Sequence, residues 1–432
     1  MEKIEYQTNA EFARAMDEAD PLRGFRDKFH FPSAGEGKEV VYFTGNSLGL
    51  QPKTAREYVD QELEDWKDLA VEGHFHAKHP WLPYHEFLTE QMARIVGAKP
   101  VETVVMNALT VNLHLMMITF YRPTAERFRI LIEGKAFPSD QYAVESQIRF
   151  HGFDPDDALI EIEPRDGEAA LRTEDIEAAI AEYGSSIALV MFGGVNYFSG
   201  QAFEMDRISA AARAAGARVG FDLAHAAGNI ELKLHEWGPD FAVWCTYKYL
   251  NAGPGGVAGV FVHERHAKDL DLPRFAGWWG HDKETRFLMG PEFVPIEGAE
   301  GWQISNPPIL QMAALRASLE IFAEAGMEAL VKKSRKLTGY LEYLLRQNDD
   351  ERFSVITPSD PAQRGCQLSI RVRDADRTLF ERLTAQGVVA DWREPDVIRV
   401  APAPLYNSFG DVFRFYGALK NALEESSGAT GI

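Results

Sequence analysis

The chain has 432 residues, 45% hydrophobic and 25% charged, with a formal net charge of −20. This is the composition of a globular protein long enough for two domains, and it lacks the basic footprint that nucleic-acid binding requires. Apolar runs such as 115–121 and 187–192 are too short to cross a bilayer, and two cysteines, Cys245 and Cys366, are too few for a disulfide scaffold or a structural zinc site.

Met1–Glu5 is polar and has no apolar signal-peptide core, so a cytoplasmic location is expected. Up to about Gln51 the sequence reads as a short helix (10–19) among loops, then a strand (40–44) and the turn Gly45-Asn46-Ser47-Leu48-Gly49. An amphipathic helix (54–69), a loop rich in His, Pro and Trp (73–83) and a further helix (86–96) follow. Strands are then expected at 103–106, 129–132, 158–162, 187–192, 218–221, 241–245 and 257–262, with helices at 111–121, 139–150, 173–183 and 205–215 between most of them. Such alternation means βαβ units, right-handed crossovers and a largely parallel sheet. After Asn306-Pro307-Pro308 comes a long helical region (309–347) with a break at Gly326. Shorter strands (353–357, 367–372, 388–391, 397–400), helices at 377–386 and 410–425, and a fraying tail from Ser426 complete the chain. The expected organisation is a large α/β domain (52–306) with a mostly parallel central sheet and a smaller α+β domain (307–432). The N-terminal segment (1–51) should join the smaller one.

The chemistry concentrates where strands end. Phe221-Asp222-Leu223-Ala224-His225 puts an acid and an imidazole after one strand, and Thr246-Tyr247-Lys248 puts a lysine after the next. In a mostly parallel sheet the ligand lies off the carboxyl ends of the strands, so these groups share a rim. A Schiff-base lysine with an aspartate facing a pyridinium nitrogen is what pyridoxal phosphate (PLP) requires of its protein. Asn107-Ala108-Leu109-Thr110 opens a helix, where free amides favour a phosphate, though Asn and Thr serve equally as plain caps. Phe137-Pro138-Ser139-Asp140 offers an aromatic cover for a flat cofactor, with Ser139 and Asp140 as cofactor contacts or simple caps. His225 could bond the ring hydroxyl or be structural. Tyr247 is core filling or a phenol near phosphate and reacting carbonyl. Gly277-Trp278-Trp279-Gly280 is a rigid loop that can be core, phosphate contact or interface. Arg399, at a strand end before Ala401-Pro402, suits bidentate binding of a substrate carboxylate. No metal is expected at the site.

Taken in order, Phe43-Thr44-Gly45-Asn46-Ser47-Leu48-Gly49-Leu50-Gln51-Pro52, Met106–Asn112, Ala136–Asp140, Gly220–His225, Tyr247–Gly253, Ser305–Pro308 and Ile398–Pro402 resemble the kynureninases. The resemblance runs from about residue 40 to 410. It implies a PLP-dependent hydrolase of the aminotransferase-like fold type I. Such an enzyme cleaves L-kynurenine or 3-hydroxy-L-kynurenine to anthranilate or 3-hydroxyanthranilate plus L-alanine, in tryptophan catabolism and NAD biosynthesis. By that likeness Lys248 forms the Schiff base and Asp222 holds the pyridine nitrogen. Leu109, Thr110, Phe137, Pro138, Ser139, Asp140, His225 and Tyr247 contact the cofactor. Trp278 and Asn306 reach it from the other subunit of a homodimer with shared active sites. Ser47 and Arg399 bind the amino-acid end, with His74 and Asn306 near the aromatic end. His74 and Ser305-Asn306 resemble sites that favour the hydroxylated substrate.

One departure is Gly193, in Phe192-Gly193-Gly194-Val195, where the family often has a serine. Two other readings fit parts of the sequence. A cysteine desulfurase or selenocysteine lyase shares the Asp-x-x-His and strand-end lysine, but a desulfurase needs a mobile, exposed cysteine. A catalytically inert PLP-fold scaffold would not need Lys248, Asp222 and Arg399 together.

Overall fold

In the computed structural model, which describes residues 4–35, 37–347, 352–373 and 377–428, strands between Thr103 and Val262 form one seven-stranded sheet. Its spatial order is Thr103–Val105, Gly259–Val262, Phe241–Trp244, Arg218–Asp222, Ile187–Gly193, Arg129–Glu133 and Leu159–Ile162. Successive side chains of a strand point to opposite faces, and the sequence uses both. Val105, Leu131, Val190, Phe192 and Ala242 pack into one apolar cluster with the helices Thr173–Tyr183, Met205–Ala214 and Ile309–Ala325. Val104, Ile130, Ile132, Leu189, Met191 and Val243 pack on the other face with Leu109–Phe120 and Pro138–Phe150. Continuous apolar strands are the mark of a sheet covered on both sides.

One strand departs from the parallel expectation: Gly259–Val262 runs antiparallel to both its neighbours. The reason lies in its connection. Residues 245–258 contain no helix, so the chain folds straight back from Phe241–Trp244 without the crossover that parallel pairing needs.

A second, antiparallel sheet has the order Asp391–Arg393, Val397–Val400, Leu368–Val372 and Phe353–Val355. Against it pack Met327–Arg346, Arg377–Ala385 and Phe409–Gly428, whose Leu341, Leu383 and Phe415 join Ile370, Ile398 and Val400 in a separate core. The strand expected at 388–391 is two pieces. Val388–Val389 pairs in parallel with Val41–Tyr42, and the chain then turns so that Asp391–Arg393 enters the four-stranded sheet. The break at Gly326 is present, with φ at +74° between Ile309–Ala325 and Met327–Arg346. The loop at 73–83 contains a short helix, Gly73–His76. The tail expected to fray from Ser426 continues the last helix to Gly428, and residues 429–432 lie outside the described residues.

The N-terminal segment is tied to the C-terminal half. Asp17 accepts the backbone N–H of Phe409 and Gly410, at 2.7 and 2.9 Å, at the start of Phe409–Gly428. A carboxylate at that end of a helix also meets the positive end of its dipole.

Candidate active site

Glu133, Gly193 and Asp222 end three neighbouring strands, so the sheet's geometry delivers them to one rim. Lys248 lies on the loop that leaves Phe241–Trp244, and that loop is held from above. Gly49 N–H donates to the Tyr247 carbonyl at 2.8 Å, and a Cβ on Gly49 would lie 2.3 Å from the Lys248 carbonyl oxygen. Only glycine permits that approach, and it brings the turn carrying Ser47 to the lysine loop.

The Lys248 amine is buried, with Nζ 3.0 Å from His225 Nε2 and 5.7 Å from the centre of the Phe137 ring. Burial and the charges of Lys248, Arg399 and Arg393 hold the His225 imidazole well below its ordinary value. Its Nδ1 is buried without a hydrogen-bond partner. Asp222 accepts the Ala224 N–H at 2.7 Å, and burial raises its carboxyl against the opposing pull of that bond and of Lys248. Asp140 is raised well above the usual carboxylate range by burial and by Asp222, and its buried Oδ1 has no partner. Glu133 is pushed up to about 7 by burial, although Asn196 and the Gly193 N–H favour its charged form. Three carboxyl groups thus crowd a cleft whose near cation is Lys248, alongside Phe137, Tyr197 and His225.

Beside this cleft two helices begin together. Thr110 and Ser139 hydroxyls lie 3.0 Å apart, within the first turns of Leu109–Phe120 and Pro138–Phe150, and neither helix has a side-chain N-cap. Free amides at a helix start favour an anion. Burial also raises the Tyr247 phenol, assisted by Cys245, so it stays protonated at neutral pH.

The remaining predicted residues are spread more widely. Arg399 is 1% exposed; its Nη1 donates to the Tyr197 carbonyl at 2.6 Å, its Nη2 bonds Asp391, and its Nε is buried without a partner. Ser47 Oγ donates to the same Asp391 oxygen at 3.3 Å. His74 accompanies neither group: its Nδ1 lies 2.9 Å from the Val71 carbonyl and its ring meets Trp81 edge-on. Trp278 and Asn306 are exposed, with the Trp278 indole N–H donating to the Arg286 carbonyl at 3.3 Å. Glu133, Asn196, Tyr197, Asp391 and Arg393 escaped the sequence reading. Glu133 ends a strand as Asp222 does, so the same signal was there to read; Asp391 becomes visible only once its strand is paired with that of Arg399.

Elsewhere among the described residues, two groups have ligand atoms within 4.8 Å of one another: Glu102 with His235 and His263, and His85 with Glu86 and Glu300. The Glu102 carboxylate is already engaged by His235 and by the N–H groups of Lys99 and Glu264.

Comparison with known proteins gives consistent results. Residues 330–419 match a family described as "Kynureninase C-terminal domain". The chain is 61% identical to a protein named kynureninase from Myxococcus xanthus, covering 97% of this chain and 99% of that one. It is 62% identical to a kynureninase from Koribacter versatilis, over 95% and 97% of the two chains. Among solved structures, a C-DES mutant with glycine covalently linked to its PLP cofactor superposes with a TM-score of 0.75 at 18% identity, over 91% of this chain and 98% of that one. A cysteine desulfurase of Thermococcus onnurineus gives 0.73 at 18% identity, over 98% and 100%. The architecture is fold type I, a mostly parallel α/β sheet with a smaller unit beside it.

Proposed function

This chain belongs to the kynureninase family, and from that premise we propose that it hydrolyses L-kynurenine, 3-hydroxy-L-kynurenine or both to anthranilate or its 3-hydroxy form plus L-alanine, using pyridoxal phosphate. The observation that carries this reading is the cleft in which a buried amine, a neutral imidazole and clustered carboxyl groups meet at the strand ends.

The residues fit the cofactor. Carboxyls raised by burial and by one another suit a pyridinium nitrogen as a second cation beside Lys248; the partnerless Asp140 oxygen and the two helix starts without side-chain caps suit a ring and a phosphate. Bound there, pyridoxal phosphate supplies an electron sink for the bonds around the substrate's α-carbon. Asp222 would hold the ring nitrogen and keep a proton on it. Phe137 would cover the ring, while Leu109, Thr110, Pro138 and Ser139 would seat the phosphate end. Lys248 Nζ would hold the cofactor and serve as the base for the substrate's α-proton; neutral His225 Nε2, 3.0 Å away, would accept a hydrogen bond from that nitrogen. The protonated Tyr247 hydroxyl donates its proton near the carbonyl that water attacks, help typically worth ~10²–10⁴-fold. Ser47 and Arg399 take the α-carboxylate.

The desulfurase alternative is disfavoured. Cys245 and Cys366 are both buried, with thiols pushed up to about 11 and about 12 by that burial, the reverse of an activated nucleophile. Reduced, buried cysteines support a cytoplasmic location, and no helix among the described residues is long and apolar enough to cross a membrane. The exposed Trp278, Phe275, Phe287, Leu288 and Met289 support a homodimer in which Trp278 and Asn306 serve the neighbouring site. The preference for the hydroxylated substrate rests only on the resemblance of His74 and Ser305-Asn306 to sites of that kind. The test adds each substrate separately to protein loaded with PLP and compares initial rates of anthranilate release. Alanine released with sulfide from cysteine, and no anthranilate, would overturn the reading.

A further inference from the structure

We propose that Glu133 and Asn196 form a positioning pair that ties the carboxyl cluster beneath the cofactor to Arg399, so that binding of the substrate's carboxylate depends on both. The inference rests on the reading of Arg399 as the carboxylate receptor.

The connection can be followed bond by bond. Glu133 Oε1 accepts the Gly193 N–H at 3.3 Å, and Oε2 accepts Asn196 Nδ2 at 2.8 Å. A Cβ on Gly193 would lie 2.8 Å from Glu133 Oε1. The space a side chain at 193 would enter is therefore filled by the Glu133 carboxylate. Asn196 cannot turn its amide round, because its Oδ1 accepts the N–H of Phe198 and Ser199, at 3.0 and 2.8 Å, and the Ser199 hydroxyl at 3.0 Å. Its backbone closes the same turn, through Asn196 N–H to the Gln201 carbonyl at 2.8 Å and Gly200 N–H to the Asn196 carbonyl at 2.9 Å.

This turn faces the four-stranded sheet with three successive carbonyls. That of Tyr197 accepts Arg399 Nη1 at 2.6 Å and Gln367 Nε2 at 3.1 Å; those of Phe198 and Ser199 accept the hydroxyls of Ser369 and Thr357, each at 2.5 Å. Ser369 is the register partner of Arg399. Arg399 is thus gripped by Tyr197 on one side and Asp391 on the other, leaving its buried Nε unpartnered for a ligand. The turn is the fixed half of that grip, and Glu133 fixes the turn. The charged groups facing Glu133 are Asp222 and Asp140. Ionised, Glu133 accepts both bonds; protonated, it loses acceptor capacity toward them.

The experiment measures the inhibition constant of L-alanine, an amino acid lacking the aryl ketone, for holoenzyme variants, alongside KM, kcat and the PLP dissociation constant. Asn196→Ala, Glu133→Gln and Gly193→Ser reach the pair from three residues. Each is expected to raise the L-alanine constant and KM about tenfold, the scale of a lost charge-assisted hydrogen bond, and Asn196→Ala should leave kcat within about threefold. The double variant E133Q/N196A should be no worse than the poorer single one. In the wild type, L-alanine binding should weaken as pH falls and Glu133 takes up a proton, and that dependence should flatten in E133Q. Arg399→Lys is the separate check on the receptor. If R399K weakens L-alanine while E133Q and N196A leave it unchanged, the positioning pair is refuted and the receptor stands. If R399K has no effect, the receptor reading fails and the pair fails with it.

Discussion

Lys248 Nζ and His225 Nε2 are both buried and lie 3.0 Å apart. Burial and the charges of Lys248, Arg399 and Arg393 keep the imidazole uncharged. His225 therefore serves as an acceptor that aims the amine. Lys248→Ala should abolish both turnover and the visible absorbance of bound cofactor; a yellow, active variant would break the assignment. Tyr247→Phe removes only a hydroxyl, so cofactor absorbance should persist while kcat falls by ~10²–10⁴-fold. An unchanged kcat, measured on anthranilate release, would take Tyr247 out of the reaction.

Helix starts carry the phosphate proposal at the next scale. Thr110 and Ser139 join two of them at 3.0 Å, and an anion seated there gains from aligned amides as well as hydroxyls. Thr110→Val keeps the shape and deletes one donor, so the PLP dissociation constant should rise about tenfold without loss of fold, as titrated by absorbance. Elements of this kind were legible in the sequence because their signals are local. Strand-end acids and lysines, the Gly326 break and the apolar alternation that covers both sheet faces all lie within a few residues. What escaped depended on pairings remote in sequence. Asn196 gains meaning only once it is brought beside Glu133, and Asp391 only opposite Arg399. The direction of Gly259–Val262 was missed because a glycine-rich connection without a helix was grouped with the crossovers around it.

For the whole molecule, the buried groups set how stability varies with pH. Glu133 keeps its proton up to about 7 in the fold, whereas the unfolded chain releases it near 4.5. Between these values the folded state binds more protons, so stability falls as pH rises, by a few kcal/mol for this group (~1.4 kcal/mol per unit). Asp140 and Asp222, also raised, act in the same direction. His225, held low, acts oppositely: its contribution is lost as pH drops below the unfolded value of 6.5. Cofactor-free protein should thus melt at progressively lower temperature as pH climbs from about 5 to 7, with a shallower slope in Glu133→Gln and in PLP-loaded protein. Identical slopes in all three would sink this account. If the proposed homodimer forms through the exposed apolar loop, sedimentation equilibrium should give a dimer mass for the wild type and a monomer mass for Leu288→Glu; a dimer mass for both would move the interface elsewhere.

The grip of Asp17 on the start of Phe409–Gly428 joins positions 392 apart in sequence, and Val41–Tyr42 waits in the same way for Val388–Val389. During synthesis these early segments must stay unpaired until almost the entire polypeptide has left the ribosome. Ser47 and Arg399, one from each side of that late closure, come together only then. A nascent or truncated chain can raise its central sheet, yet its Ser47 and Arg399 stay apart until its two ends have met.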